Sequence, residues 1–168
     1  MSNPIEPWLR GPLPGVHPSL APVLYSFQQA REDLRQWTAG LTTEQVWLRI
    51  HELAPVGFQI RHIAGSVERL MIYLAGGRLT EQQLSELRNE SEPGASPAEL
   101  LSQLDRKLSA AEAIVRAIDP ATLQQPREVG RKRLPTTVGG LLMHIAEHTQ
   151  RHVGQAIVTA KLVRTPER

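Results

Sequence analysis

The architecture follows from residues 136–163, which read TTVGGLLMHIAEHTQRHVGQAIVTAKLV. Pro135 precedes this segment, and apolar residues recur in it three or four positions apart, the spacing that places them on one face of an α-helix. The apolar positions are Val138, Leu141, Leu142, Ile145, Val153, Ile157 and Leu162. The segment is therefore predicted to be a long amphipathic helix that covers a hydrophobic core.

Three other segments show the same apolar periodicity, at residues 19–39, 56–75 and 97–118. The last of them has the clearest start in the chain. Ser96 is its predicted N-cap, and Glu99 stands three positions later, where it completes a capping box.

Two shorter helical turns are predicted within the connections, at residues 42–45 and 80–89. Thr42 and Gln45 have the spacing of a capping box. No segment alternates between apolar and polar residues over the length of a strand, so no β-structure is predicted.

Four long amphipathic helices predict an all-α fold, an up-and-down four-helix bundle with long connections. A chain of 168 residues has the size of one domain. We therefore expect residues 1–168 to form a single domain, with residues 1–17, which are rich in proline, as an extended N-terminal segment.

Half of the six histidines lie within nine residues of the last predicted helix, at His144, His148 and His152. Four residues advance a helix by about 400°, so the three rings stay on one face. Adjacent rings can bind one ion together, whereas the outer two are separated by roughly 12 Å of helix rise. One metal ion is thus expected to take an adjacent pair, and the spacing leaves open which pair.

A further ligand must come from another helix or from water. His62 is a candidate because it lies within the second long helix, where Gln59 and Ser66 share its face and could orient its ring or contact a water. His17 and His51 fall in the N-terminal segment and in a connection, and are expected at the surface.

Two other interpretations of the three histidines stay open at this point. They could line a solvated face of a scaffold bundle that binds no metal. The segment HIAEH at residues 144–148 also matches H-x-x-E-H, the inverted zinc-protease signature, with Glu147 as the general base. A small all-helical domain is, however, the wrong scaffold for a protease of that class.

The chain contains no cysteine, which excludes disulfides, thiolate metal sites and a thiol nucleophile of its own. Nineteen basic and seventeen acidic residues give a net charge of +2. The only basic run is REVGRKR at residues 127–133, for which a solvated loop is favoured over a phosphate-binding patch. No nucleic-acid partner is expected, because such binding needs a larger basic cluster.

No segment has the roughly 18 uninterrupted apolar residues that a membrane-spanning helix needs. Prolines and charges occupy the N-terminus, where a signal peptide would be apolar. These features predict a cytoplasmic protein with no membrane partner.

Three segments carry a resemblance to the DinB/YfiT superfamily. Residues 141–157, LLMHIAEHTQRHVGQAI, resemble its last-helix motif, roughly H-x-x-x-H-x-x-x-H-x-G-Q, and the His-x-Gly-Gln element at residues 152–155 is the most specific part. Residues 59–66, QIRHIAGS, resemble its second-helix segment, in which a histidine with apolar neighbours precedes a small residue. Residues 43–47, TEQVW, are similar to its connecting segment after the first helix.

This resemblance implies a DinB-like helical bundle with a divalent metal ion held by three histidines. The positions that match the family motifs are His62 on the second long helix and His148 and His152 on the last. The family usually has an arginine between the last histidine and the glycine, whereas this chain has Val153 there.

The family also suggests what such a site does. Zinc and nickel both suit imidazole ligands, and three histidines leave coordination positions open for a nucleophile. Some members of the family are thiol transferases and others are described as metal-dependent hydrolases. The resemblance therefore implies a metal-dependent enzyme that activates water or a low-molecular-weight thiol for attack on a small molecule.

Three residues have expected supporting roles in such an enzyme. His144 is the candidate proton shuttle, and Gln59 and Gln155 are the candidate orienting groups. The alternative is a non-catalytic, metal-stabilised helical module for binding or stress response. A homodimer is a common state of such bundles.

Overall fold

The computed structural model describes residues 5–164, which form six α-helices, two short strands and two 3-10 turns. The helices are α1 (Ala21–Thr38), α2 (Thr43–Trp47), α3 (Val56–Leu74), α4 (Glu81–Arg88), α5 (Pro97–Arg116) and α6 (Val138–Arg164). Residues 1–4, where the predicted N-terminal segment begins, and residues 165–168 lie outside the described residues.

Capping boxes begin three of these helices, because a side-chain oxygen at the N-cap satisfies a free N–H of the first turn. They pair Thr42 with Gln45 at α2, Thr80 with Gln83 at α4 and Ser96 with Glu99 at α5. The predicted boxes at residues 42 and 96 are thereby confirmed.

The four long helices pack as a ring. Helix α6 packs against α1 and α3, and α5 packs against α3 and α1. The predicted four-helix bundle with long connections is confirmed. Two pairs of consecutive long helices, α1 with α3 and α5 with α6, lie at opposite corners of the ring, whereas α3 and α5 are neighbours. This is a variation on the simple up-and-down order, and it requires connections that cross the ends of the bundle.

Contacts between the helices give their directions. Ser26 of α1 donates a hydrogen bond to the carbonyl of Ala146, and Arg164 at the end of α6 binds the carbonyl of Ala39 just after α1. Helices α1 and α6 therefore run in the same direction. Arg127, which precedes α6, binds the carbonyl of Leu74 at the end of α3, so α3 and α6 are antiparallel.

The core between these helices is mainly aliphatic, as the small number of aromatic residues requires. Its largest fully buried side chains include Phe27, Leu34, Ile60, Ile63, Leu104, Leu108 and Ile145. Within residues 5–164, no helix is both long enough and apolar enough to cross a bilayer.

A β-hairpin between α5 and α6 corrects the prediction that the chain has no β-structure. Strands β1 (Pro126–Val129) and β2 (Leu134–Thr137) pair antiparallel, and Gly130 takes a positive φ of 73° in the turn between them. The strands have four residues each and both contain proline, so an alternating pattern cannot develop in the sequence.

The same hairpin contains residues 127–133, which form strand and turn where a solvated loop was expected, although most of them are exposed. The Nε of Arg127 donates to the carbonyl of Leu74 over 2.6 Å, which ties the hairpin to the end of α3. Because β2 takes up residues 136 and 137, α6 begins at Val138 rather than at the predicted threonines.

Candidate metal centre

Helices α3 and α6 bring three histidines together at their contact. The Nε2 atoms of His62 on α3 and His148 on α6 lie 3.1 Å apart. The ring centroid of His152 is 4.4 Å from that of each of the other two. One nitrogen from each ring lies within 4.8 Å of the other two, so the three rings could hold one metal ion.

Hydrogen bonds fix the tautomers of two of these rings. The carboxylate of Glu90 accepts from His62 Nδ1 over 2.6 Å, and the amide oxygen of Gln59 accepts from His152 Nδ1 over 2.6 Å. Since these acceptors require a proton on Nδ1, both Nε2 atoms carry free lone pairs when the rings are neutral.

The donor set fits a divalent ion. Tetrahedral zinc with nitrogen ligands at about 2.0–2.1 Å separates neighbouring nitrogens by about 3.3 Å, close to the 3.1 Å between His62 and His148. His148 has no second partner: its buried Nδ1 makes no hydrogen bond within the described chain. Buried polar atoms in a protein core normally make hydrogen bonds. In His148 one nitrogen has no partner and the other faces a second imidazole, so core packing does not account for this residue.

The surroundings favour the neutral form of the two candidate ligands on α6, His148 and His152. Burial is the main cause that lowers the pKa of both His148 and His152 from 6.5 to about 4, and the neighbouring His62 lowers both pKa values further. At neutral pH these rings therefore need not release a proton before they bind a metal ion.

This pKa shift predicts how acid affects the metal-free protein. A histidine with a folded pKa of about 4 and an unfolded pKa near 6.5 binds more protons in the unfolded state between these pH values. Protonation therefore costs no folding free energy above pH 6.5 and favours the unfolded state below it. We expect the free energy of unfolding to fall as the pH drops from 6.5 toward 4. Urea unfolding of chelator-treated protein across this range measures the effect.

Carboxylates also titrate in the lower part of that range, so the prediction needs a matched comparison. The double variant His148→Gln, His152→Gln lacks both low-pKa rings and should lose less stability between pH 6.5 and pH 5 than the wild type. Parallel curves for the two proteins would contradict the assignment of the acid effect to these rings.

His144 lies outside this group of three. Its side chain is 47% exposed, and its Nδ1 lies 2.7 Å from the Glu147 carboxylate, which also pairs with Arg151 over 2.5 Å. His144, Glu147 and His148 form a second, more exposed set of possible ligands. Both oxygens of Glu147 are engaged, which does not suit the free general base of the inverted protease signature.

The remaining predicted residues divide between the site and the surface. Gln59 is buried and accepts a hydrogen bond from the candidate ligand His152. It was expected to orient His62, which lies on the same face of α3. Gln155 is exposed, and its side chain makes no hydrogen bond within residues 5–164, so its predicted orienting role stays a prediction. His17 and His51 are exposed, as expected.

Sequence reasoning missed two residues of the site, Glu90 and Arg69. Glu90 lies in the polar connection between α4 and α5, yet it is only 4% exposed because it reaches His62 with one oxygen and Arg69 with the other. An acidic residue in a polar linker has no local pattern that marks it as buried. Arg69 shares α3 with the charged residues Arg61 and Glu68, so its charge did not single it out either.

A cavity of about 640 Å³ lies next to this pair, between α3, α5 and the α4–α5 connection. Its walls carry charges of both signs, including Arg61, Glu68, Glu90, Arg106 and Lys107. A second cavity, of about 700 Å³, lies between α1 and α6 and has a more apolar wall that includes Trp8, Tyr25 and Met143.

Comparisons with known proteins identify the family of the chain and agree with its helical-bundle fold. The sequence model of the DinB superfamily matches residues 26–156. No curated protein matches the chain. Among solved structures, YfiT from Bacillus subtilis shares 16% sequence identity and superposes with a TM-score of 0.66, over 90% of this chain and 92% of that chain. YfiT is described as a probable metal-dependent hydrolase with an unusual four-helix bundle topology.

Proposed function

The chain belongs to the DinB superfamily, and from that premise we propose that it is a metal-dependent enzyme acting on a small molecule. His62, His148 and His152 would hold a divalent ion, for which zinc and nickel are both suitable. The nucleophile would be water or a low-molecular-weight thiol. A thiol would have to come from a cofactor, because the chain has no cysteine.

One observation carries this proposal. Three imidazoles from two helices meet with their donor nitrogens within 4.8 Å, and two of them are held by Glu90 and Gln59 in the tautomer that leaves Nε2 free. An ion bound by three neutral imidazoles keeps its full charge and supplies a Lewis acid that lowers the pKa of bound water or thiol.

His144 is suited to moving a proton at the edge of this site. Glu147 accepts from its Nδ1, which leaves Nε2 as a proton acceptor, and its ring centroid lies 5.1 Å from that of His148. The ring is half exposed, so a proton taken at Nε2 can pass to solvent. In this proposal Glu147 orients His144 and holds its tautomer.

The test begins with protein purified without a histidine tag and loaded with zinc or nickel. Hydrolysis of a panel of aryl esters is measured without thiol, and conjugation of an electrophilic dye is measured with low-molecular-weight thiols. We expect metal-dependent turnover in one assay, loss of turnover after chelation and recovery after the metal is restored. Protein that binds one metal ion yet is inactive in both assays would instead support the non-catalytic binding module.

His144→Ala separates proton transfer from metal binding. General acid–base groups typically contribute 10²–10⁴-fold to a rate, so we expect turnover to fall by about a hundredfold or more with little change in metal content. The control is Val158→Ala, a change at an exposed position on the same helix that should leave both quantities near wild type. An unchanged rate in His144→Ala would remove this residue from the mechanism.

A further inference from the structure

We propose that Glu90 is a positioning residue that fixes the tautomer and orientation of the metal ligand His62, and that Arg69 and Gly65 hold Glu90 in place. This inference rests on the metal site of the proposed function. The structure supports it through burial, two hydrogen bonds and the space available at one glycine.

The carboxylate of Glu90 is divided between two partners. One oxygen lies 2.6 Å from His62 Nδ1 and the other lies 2.6 Å from Nη1 of Arg69. Glu90 is 4% exposed and Arg69 is 8% exposed. The guanidinium of Arg69 faces the buried carboxylate, so neither charge lies in the interior without a partner, and the second carboxylate oxygen accepts a hydrogen bond from His62 Nδ1.

The ring of His62 is held in two independent ways. Phe58, one turn earlier on α3, stacks on it at a centroid distance of 5.3 Å and an interplanar angle of 15°. Stacking can hold the plane of the ring, but it cannot choose which nitrogen carries the proton. Glu90 makes that choice, since an ionised carboxylate only accepts hydrogen bonds. Nε2 is then the nitrogen that faces His148.

The connection that carries Glu90 is fastened to α3 by Arg61. Its guanidinium donates to the backbone carbonyls of Asn89, Glu90 and Glu92, and it lies over the ring of Trp47, 4.6 Å from the centroid. These contacts use the backbone of the connection. The Glu90 side chain is thereby left for His62 and Arg69.

Gly65 leaves the space that the carboxylate occupies. A Cβ at this position would lie 2.5 Å from Glu90 Oε1 and 2.6 Å from Arg69 Nη1, distances that real Cβ atoms essentially never show. The glycine follows His62 by three residues on the same helix. Any side chain there would therefore push the Glu90–Arg69 pair away from the ligand.

The first experiment replaces Glu90 with glutamine, which removes the charge and nearly keeps the shape. Arg69 can only donate, so the glutamine oxygen should turn toward Arg69 and its NH₂ group toward His62. That group donates to Nδ1 and forces the proton onto Nε2. We expect the ¹⁵N shifts of His62 in the metal-free protein to report this tautomer switch.

The same variant should bind zinc about 10–100-fold more weakly in a chelator competition, the usual cost of removing a partner of a ligating histidine. Glu92→Gln is the matched control, because it makes the same change in the same connection without touching His62. The double variant Glu90→Gln, Arg69→Met frees the glutamine oxygen to face His62 again. It should recover the Nδ1–H tautomer and part of the affinity, which a merely structural role of Glu90 does not predict.

Gly65→Ala tests the inference without altering any polar group, and alanine also favours a helix more than glycine does. It should weaken zinc binding in the same direction as Glu90→Gln, and it decides the question if Glu90→Gln does not fold. Wild-type affinity in the folded variants with an unchanged His62 tautomer would overturn the inference. Failure of the wild type to bind either zinc or nickel would instead overturn the proposed function. The two failures are distinguishable, because the tautomer of His62 is measured in metal-free protein.

Discussion

Replacing His148 with alanine is expected to abolish stoichiometric metal binding. His148 is the middle ring of the three on α6, and its Nε2 lies 3.1 Å from that of His62. Loss of a partner of a ligand typically costs 10–100-fold in affinity, so loss of a ligand itself should weaken binding by more than about a hundredfold. Metal analysis of tag-free protein and a chelator competition measure the change.

Two matched variants show which ligand set is used, since His148 belongs to both possible sets. If the ion lies between α3 and α6, His152→Ala should lose the metal and His144→Ala should keep it. The reverse result would place the ion at His144, Glu147 and His148. Equal metal content in all three variants and the wild type would reject a histidine site on α6 altogether.

Arg69→Met is expected to destabilise the protein strongly. Arg69 is the cation that faces the buried carboxylate of Glu90, whose side chain is 5% exposed. Removal of one partner from a buried ion pair typically costs about 3–5 kcal/mol, because it leaves the other charge without compensation. Urea unfolding of metal-free protein at neutral pH measures this change without any contribution from a bound ion.

The control for this variant is Arg106→Met, the same substitution in the wall of the same cavity. Arg106 is exposed and donates to the hydroxyl of Ser102 one turn away, so its loss should change the free energy of unfolding by less than about 0.5 kcal/mol. If the two variants were equally stable, the Glu90 carboxylate would not depend on Arg69.

The helical fold could be predicted because its signals are local. Apolar residues at helical spacing and the Ser96 capping box lie within single segments, and the observed helices begin and end close to the predicted positions. The hairpin at residues 126–137 could not be predicted in this way. It is stabilised by pairing of two short strands and by the contact of Arg127 with the end of α3, neither of which leaves a periodic pattern.

The order of the helices around the bundle is another feature without a local signal. The same amphipathic faces would be satisfied with α1 beside α3 in a simple ring. The structure instead places these helices at opposite corners. In a simple ring, α6 would lie between α5 and α1. Here α6 lies between α1 and α3, and α3 is the helix that carries His62.

For the site, helix geometry limited a single ion to two adjacent histidines on α6 and identified His62 as a possible third ligand. The spacing i, i+4, i+8 is a property of one helix, so the sequence was sufficient for that step. Spacing alone left the two pairs open, and the resemblance to the DinB/YfiT motifs implied His148 and His152, with His62 as the third ligand. Only the folded chain places His62 against His148 and His152 and leaves His144 at the solvent-exposed edge.

The partners of the ligands belong wholly to the tertiary structure. Gln59 shares a helical face with His62 in the sequence, yet it orients His152 on the facing helix. Glu90 is separated from His62 by 28 residues and reaches it through a connection that Arg61 fastens to α3. The ring nitrogens that face an ion depend on hydrogen bonds across the bundle. The sequence alone therefore determined which residues could bind a metal ion, while packing between helices decided which lone pairs are free to do so.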